Sequence, residues 1–208
     1  MGASALSVEH LTVRRGGRGV FERLSLRLDP GELLALTGRN GSGKTTLLRA
    51  LALLVPGESG EIRWQGQSVA LDREAWRGRL AWLGHSDGLK GDLTLAENLA
   101  AAEALQSGAA PPASDIAAAL AAFDLADLAH RPARALSAGQ RRRAALARVK
   151  LSKAPVWLLD EPLNALDARA QEALRAILRT HLAQGGLVIA ATHAALDIEG
   201  ARSLELGT

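Results

Sequence analysis

The sequence predicts an α/β fold with a mixed sheet at its core, antiparallel strands at the N-terminal end and an inserted helical subdomain. Three observations carry this prediction. The apolar run Leu33-Leu34-Ala35-Leu36 leads into Gly38-Arg39-Asn40-Gly41-Ser42-Gly43-Lys44-Thr45 and then into the helix-forming Thr46-Leu47-Leu48-Arg49-Ala50-Leu51, so strand, glycine-rich loop and helix follow in order. Strand-like runs at Val156 to Leu159 and Leu187 to Ala191 flank a helical stretch over 168–183, a βαβ pattern that implies parallel strands. Between Thr94 and Lys153 the sequence reads as helical almost throughout.

Strand signals open the chain at 6–13, 20–28 and 32–37. The last two are joined by Asp29-Pro30-Gly31, in which proline presets one dihedral and glycine permits the other, and this predicts an antiparallel entry into the sheet. Pro56-Gly57-Glu58-Ser59-Gly60 is a second turn, Glu61 to Trp64 a strand, Leu80-Ala81-Trp82-Leu83 a buried strand and Gly84 to Leu93 a loop. Thr94-Leu95-Ala96-Glu97 is a capping box, so a helix starts there. The stretch Ser107 to Ala113, with Pro111-Pro112, is a surface connection, and Arg131-Pro132 breaks the pattern before the helix that begins at Ser137. One domain is expected, with a core of residues 1–93 and 154–208 and the helical segment 94–153 inserted into it.

A chain of 208 residues is long enough to bury a sizeable core and short for two nucleotide-binding units. The net charge is +3, and Arg141-Arg142-Arg143, the densest basic run, is expected to be a solvated helix face rather than a nucleic-acid patch. With no cysteine there is neither a disulfide nor a thiolate metal site. Met1-Gly2-Ala3-Ser4-Ala5-Leu6 lacks the basic and apolar regions of a secretion signal. The most apolar stretches, 47–55 and 187–196, are about half the roughly 20 residues that span a bilayer, which predicts a soluble protein or one peripheral on a membrane.

The loop Gly38 to Thr45 has the spacing G-x-x-x-x-G-K-T of a phosphate-binding loop. Its glycines let successive N–H groups of Gly38, Arg39, Asn40, Gly41, Ser42 and Gly43 wrap around phosphates, the following helix N-terminus at Thr46 adds partial positive charge, and Lys44 adds a full one. Thr45 offers a hydroxyl to Mg²⁺. Nucleoside triphosphate binding follows as the expectation. The run Pro155-Val156-Trp157-Leu158-Leu159-Asp160-Glu161 ends in two carboxylates, which a parallel sheet delivers to the same edge as the loop. There Asp160 is placed to hold Mg²⁺, and Glu161 to orient or deprotonate a water attacking the γ-phosphate. Ser137 and Gln140 sit at capping-box spacing around Ala138-Gly139, a helix start that also suits an anionic phosphate.

In order, the phosphate loop, Leu136-Ser137-Ala138-Gly139-Gln140, the strand ending in Asp160-Glu161, Leu166-Asp167 and His193 after Ala191-Thr192 resemble the ATP-binding subunit of an ABC transporter over nearly the whole chain. The resemblance implies a P-loop NTPase of ABC type that binds ATP with Mg²⁺ and works as a head-to-tail homodimer, each ATP clamped between one phosphate loop and the partner's signature helix. On that carry-over Ser137, Gly139 and Gln140 act on the other subunit's ATP, Asp167 lies at the dimer contact and His193 touches the γ-phosphate. The segment Leu83-Gly84-His85-Ser86-Asp87-Gly88-Leu89-Lys90-Gly91-Asp92-Leu93-Thr94, Glu97-Asn98-Leu99, Ala138 and Gln184-Gly185-Gly186 look most like the heme exporter ATPase of cytochrome c maturation. That group implies an integral membrane partner on a separate chain and a peripheral position on the cytoplasmic face of the bacterial inner membrane; no nucleic acid is expected as a partner, and no direct heme site is evident in the sequence. A different ABC exporter and a soluble ABC ATPase acting on nucleic acid or ribosomes are the alternatives.

Ala138 and Asn164 replace the family's commoner glycine and serine, both tolerable changes, and the pattern departs further at two places. His85 stands where most members have a glutamine near Mg²⁺, and imidazole suits that hard ion poorly, so His85 is expected to act through water or to sense the membrane subunit. The region Leu11 to Val20, where members carry an aromatic that stacks on adenine, has none, and Val13, Arg14 or Arg15 is the expected substitute.

Overall fold

The computed structural model describes residues 5–15 and 18–207; Met1 to Ser4, most of the segment read as lacking a secretion signal, lie outside the described residues. In chain order the elements are β1 (Leu6–Arg15), β2 (Arg18–Leu28), β3 (Leu33–Thr37), α1 (Lys44–Leu51), β4 (Ser59–Trp64), β5 (Gln67–Ser68), α2 (Arg73–Gly78), β6 (Leu80–Leu83), α3 (Leu95–Ser107), α4 (Ala113–Ala121), α5 (Ala138–Leu151), β7 (Val156–Asp160), α6 (Ala168–Ala183), β8 (Leu187–Ala191) and β9 (Arg202–Glu205). The antiparallel and parallel parts are two separate sheets, ordered β2-β1-β4-β5 and β6-β7-β8-β3-β9.

The break falls at Asp29-Pro30-Gly31. Instead of folding β3 back along β2, the turn docks on the start of β8, with Gly31 N–H donating to the Gly186 carbonyl at 3.1 Å. The reason lies in the side chains. In β2, Leu24, Leu26 and Leu28 alternate with exposed Arg23, Ser25 and Arg27, the pattern of a strand with one wet face. By contrast β7 and β8 are buried at every position and need cover on both faces.

Two cores supply that cover. Leu34, Leu36, Val156, Leu158, Leu187 and Ile189 point into one, shared with α1 and the antiparallel sheet. Leu33, Trp157, Leu159, Val188 and Ala190 point into the other, which runs without a break into α3, α4, α5 and α6. The period-2 alternation of each strand thus divides its residues between the two cores.

Helices begin where their caps dictate. Thr94 Oγ1 accepts from Glu97 N–H and the Glu97 carboxylate accepts from Thr94 N–H at 2.8 Å, which fixes the start of α3. Ser137 and Gln140 make the same reciprocal pair at the start of α5. In α6 the Asp167 carboxylate accepts from Ala170 N–H at 2.8 Å. Among the described residues no helix is long and apolar enough to cross a membrane.

The arginine run is not a solvated face. Consecutive helical residues are about 100° apart, so three neighbours cannot share a side. Arg141 binds Asp87 (3.1 Å) and the Leu136 carbonyl (2.7 Å), Arg142 is buried against the sheet, and Arg143 donates to the Phe123 carbonyl at 3.3 Å.

Candidate functional site

The parallel strands deliver the loops after β3, β6, β7 and β8 to one edge of the sheet. After β3 the chain turns through Gly38, at φ 124°, where a Cβ would lie 2.3 Å from the Leu206 carbonyl oxygen. Gly43, at φ 101°, packs so closely under Val20 that a Cβ would meet its Cγ1 at 2.6 Å. Only glycine fits either position. α1 then starts at Lys44 with no side-chain cap and no acid in its first turn, so its leading N–H groups face the loop's hollow without a partner from a capping side chain. Lys44, only 7 % exposed, folds back over the loop and donates from Nζ to the carbonyls of Gly38 (2.7 Å) and Arg39 (3.1 Å). The Ser42 hydroxyl is buried and has no partner among the described residues. Open N–H groups and a buried ammonium around one hollow fit a polyphosphate.

At the end of β7, Thr45 Oγ1 lies 3.1 Å from each oxygen of the Asp160 carboxylate. Hydroxyl and carboxylate form an oxygen pair of the kind a hard divalent cation takes. Next to it, Glu161 adopts φ 48°, its N–H donating to the Ala191 carbonyl at 2.8 Å. His193 Nε2 lies 3.4 Å from Glu161 Oε1. A local bridge holds the histidine's turn: Thr192 Oγ1 donates to the Ala194 carbonyl at 2.7 Å, and Thr192 N–H donates to the Leu36 carbonyl at 3.1 Å. Asn40, Gly41, Gly43, Lys44, Thr45, Thr46, His85, Asp160, Glu161 and His193 all line one open cleft of about 720 Å³.

His85 reaches this cleft from the loop after β6, which α3 and α5 hold in place. Asn98, 6 % exposed, donates to the carbonyls of Lys90, Leu93 and Thr94, and Arg148 donates to that of Gly88. Ser137, Gly139 and Gln140 are not among the residues that line the cleft. Gly139 instead sits against the Ala165 carbonyl, 3.2 Å from where its Cβ would be, and Ser137 and Gln140 cap α5.

One expectation for the base-contacting position is overturned. Val13 is fully buried in the core and has no face to offer a ligand. The Arg14 guanidinium is engaged by Glu22 (3.6 Å) and Glu58 (3.5 Å), while the Arg15 side chain lies outside the described residues. The residue that lines the cleft from this region is Val20.

Sequence reasoning also missed Arg142. From α5 its Nη1 donates to the Gly84 carbonyl at 2.8 Å, and its Nη2 to the carbonyls of Asp160, at 2.6 Å, and Glu161. Burial pulls its pKa below the ordinary arginine value, opposed by the charges of Asp160, Glu161 and Asp87. One signal pointed to it: buried Ala145, Leu146 and Val149 follow at i+3, i+4 and i+7, so position 142 belongs to the helix's inward stripe.

Residues 21–164 match the family model described as ABC transporter. The chain is 47% identical to the cytochrome c biogenesis ATP-binding export protein CcmA of Cupriavidus necator, over 97% of this chain and 87% of that protein. It is 44% identical to the protein of the same name from Methylococcus capsulatus, over 99% of this chain and the full length of that one. A solved ATP-binding subunit of an ABC transporter superposes with a TM-score of 0.87 at 25% identity, covering 98% of this chain and 86% of that structure. The chain therefore belongs to the ABC transporter family as an ATP-binding subunit, an ATPase whose full-length relatives are cytochrome c biogenesis ATP-binding export proteins.

Proposed function

We propose that this ATPase drives heme export or heme delivery for c-type cytochrome maturation, working with an integral membrane subunit on a separate chain. The observation that supports hydrolysis at the cleft is the convergence of Lys44, the Thr45–Asp160 pair, Glu161 and His193 on one hollow. The names of the full-length relatives support the cytochrome c role.

In this reading the N–H groups of the loop take the phosphate oxygens, and the Lys44 ammonium leaves the loop carbonyls for the β- and γ-phosphates. Thr45 and Asp160 hold Mg²⁺, which when bound neutralises charge developing on the phosphate oxygens. Glu161 accepts a hydrogen bond from the attacking water and draws off its proton as the water oxygen bonds to the γ-phosphorus and the bond to the ADP oxygen breaks. His193 steadies the Glu161 carboxylate and reaches toward the γ-phosphate. His85 acts through water or reports contact with the membrane subunit.

Because Ser137, Gly139 and Gln140 stand outside the cleft, a second copy of the chain placed head-to-tail supplies them to it. Residues 1–93 and 154–208 then act as the nucleotide-binding core and 94–153 as the helical signature subdomain, at the cytoplasmic face of the bacterial inner membrane. The deciding experiment is a heme stain for covalent c-type cytochromes in source cells whose only copy of the protein carries Lys44→Ala. Loss of staining with the apoproteins still made is expected; normal staining points to another exported substrate.

A further inference from the structure

We propose that Arg142 is a positioning residue for ATP hydrolysis, setting the backbone that aims Glu161 and tying it to the loop that carries His85. The inference rests on the reading of Glu161 given above.

The geometry is specific. Glu161 sits in the left-handed region, which is costly for any residue other than glycine and persists only when its surroundings over-determine it. Three hydrogen bonds do this. Its N–H is held by the Ala191 carbonyl of β8, and its own carbonyl by Nη2 of Arg142 and, within the turn, by Asn164 N–H at 3.2 Å. The same Nη2 takes the preceding carbonyl of Asp160, so the peptide units on both sides of the Glu161 Cα are pinned. Through Nη1 the guanidinium also holds Gly84, the residue before His85. One planar fork thus spans the ends of two strands, which a flexible ammonium cannot do.

Arg142 is 7 % exposed and is not among the residues that line the cleft, and its guanidinium is spent on backbone carbonyls, so it acts through Glu161 and His85 rather than on substrate. Its helix starts with the Ser137–Gln140 cap, and Arg141 and Arg148 bind the same loop at Asp87 and Gly88. A shift of α5 therefore moves the Glu161 carbonyl and the His85 loop together, linking the signature end of the helix to the hydrolytic end of β7.

The test compares wild type, R142Q, R142K, E161Q and the R142Q/E161Q double variant for kcat, KM and the binding of ATP itself. Misplacing a catalytic group by about 1 Å costs on the order of 10²-fold, so R142Q is expected to lose roughly that in kcat while its ATP Kd stays within about threefold. R142K keeps the charge but not the fork and is expected to recover only part of the rate. In the E161Q background R142Q should add no further loss, an interaction that a merely structural residue would not show. Should R142Q fail to fold, R142K and R142K/E161Q carry the same comparison. Wild-type kcat in R142Q with E161Q inactive overturns the assignment of Arg142 alone, as does an undiminished loss in the double variant. Wild-type kcat in E161Q overturns the assignment of Glu161 itself.

Discussion

His193 Nε2 stands 3.4 Å from Glu161 Oε1, an imidazole after β8 against a carboxylate after β7. The two strands are neighbours in register, with Asp160 opposite Ala191, so the pairing of the sheet sets this distance.

Replacing Glu161 with glutamine keeps the shape and removes the proton acceptor. Turnover is expected to fall by about 10²–10⁴-fold, the usual range for a general base. ATP then stays bound, and the variant should run as a stable ATP-dependent dimer in size-exclusion chromatography with light scattering. A monomer with ATP bound would contradict the head-to-tail reading of Ser137, Gly139 and Gln140.

The two capping boxes separate a cap from a ligand contact. Thr94→Ala and Ser137→Ala each remove one cap hydroxyl, so each is expected to cost about 1 kcal/mol of stability, a few degrees in melting temperature. Only Ser137→Ala should also lower turnover and weaken the ATP-dependent dimer. Equal turnover in the two variants would leave Ser137 as a cap and nothing more.

Val20, which lines the cleft from β2, is aliphatic and cannot read a base edge by hydrogen bonds. ATP and GTP are accordingly expected to bind with Kd values within about threefold of each other. A strong preference for ATP, measured by competition, would require a polar contact to the base from elsewhere.

His181 stacks on Trp157 with ring centroids 3.8 Å apart, its buried Nε2 has no hydrogen-bond partner among the described residues, and burial holds its pKa below the ordinary 6.5. The unfolded chain takes up this proton near pH 6.5 whereas the folded chain resists it, so stability is expected to fall as pH drops below 6.5. Melting temperatures measured between about pH 7.5 and 5.5 check this. His181→Gln should be less stable at neutral pH through loss of the stack, with a flatter dependence across that window.

Much of the fold is legible without coordinates because its signals are local. The loop from Gly38 to Thr45, the boxes at Thr94 and Ser137, and the apolar runs of β7 and β8 are each contained within a few neighbouring residues. The elements not anticipated are those with weak local signals. β5 has two residues, α2 has six with Trp76 its one buried side chain, and β9 is an edge strand with no buried residue. Pairing is not local at all, and so the division into two sheets at Asp29-Pro30-Gly31 does not appear in the turn's own composition.

The sequence by itself determined the phosphate loop, the paired carboxylates and the order of family segments, because backbone conformation and charge there depend on residue type and spacing. Only the tertiary structure decided that Val13 is core, that Val20 lines the cleft and that Arg142 is buried against three carbonyls. Each of these depends on which face an element turns inward, and that is set by the partners it packs against rather than by its own residues.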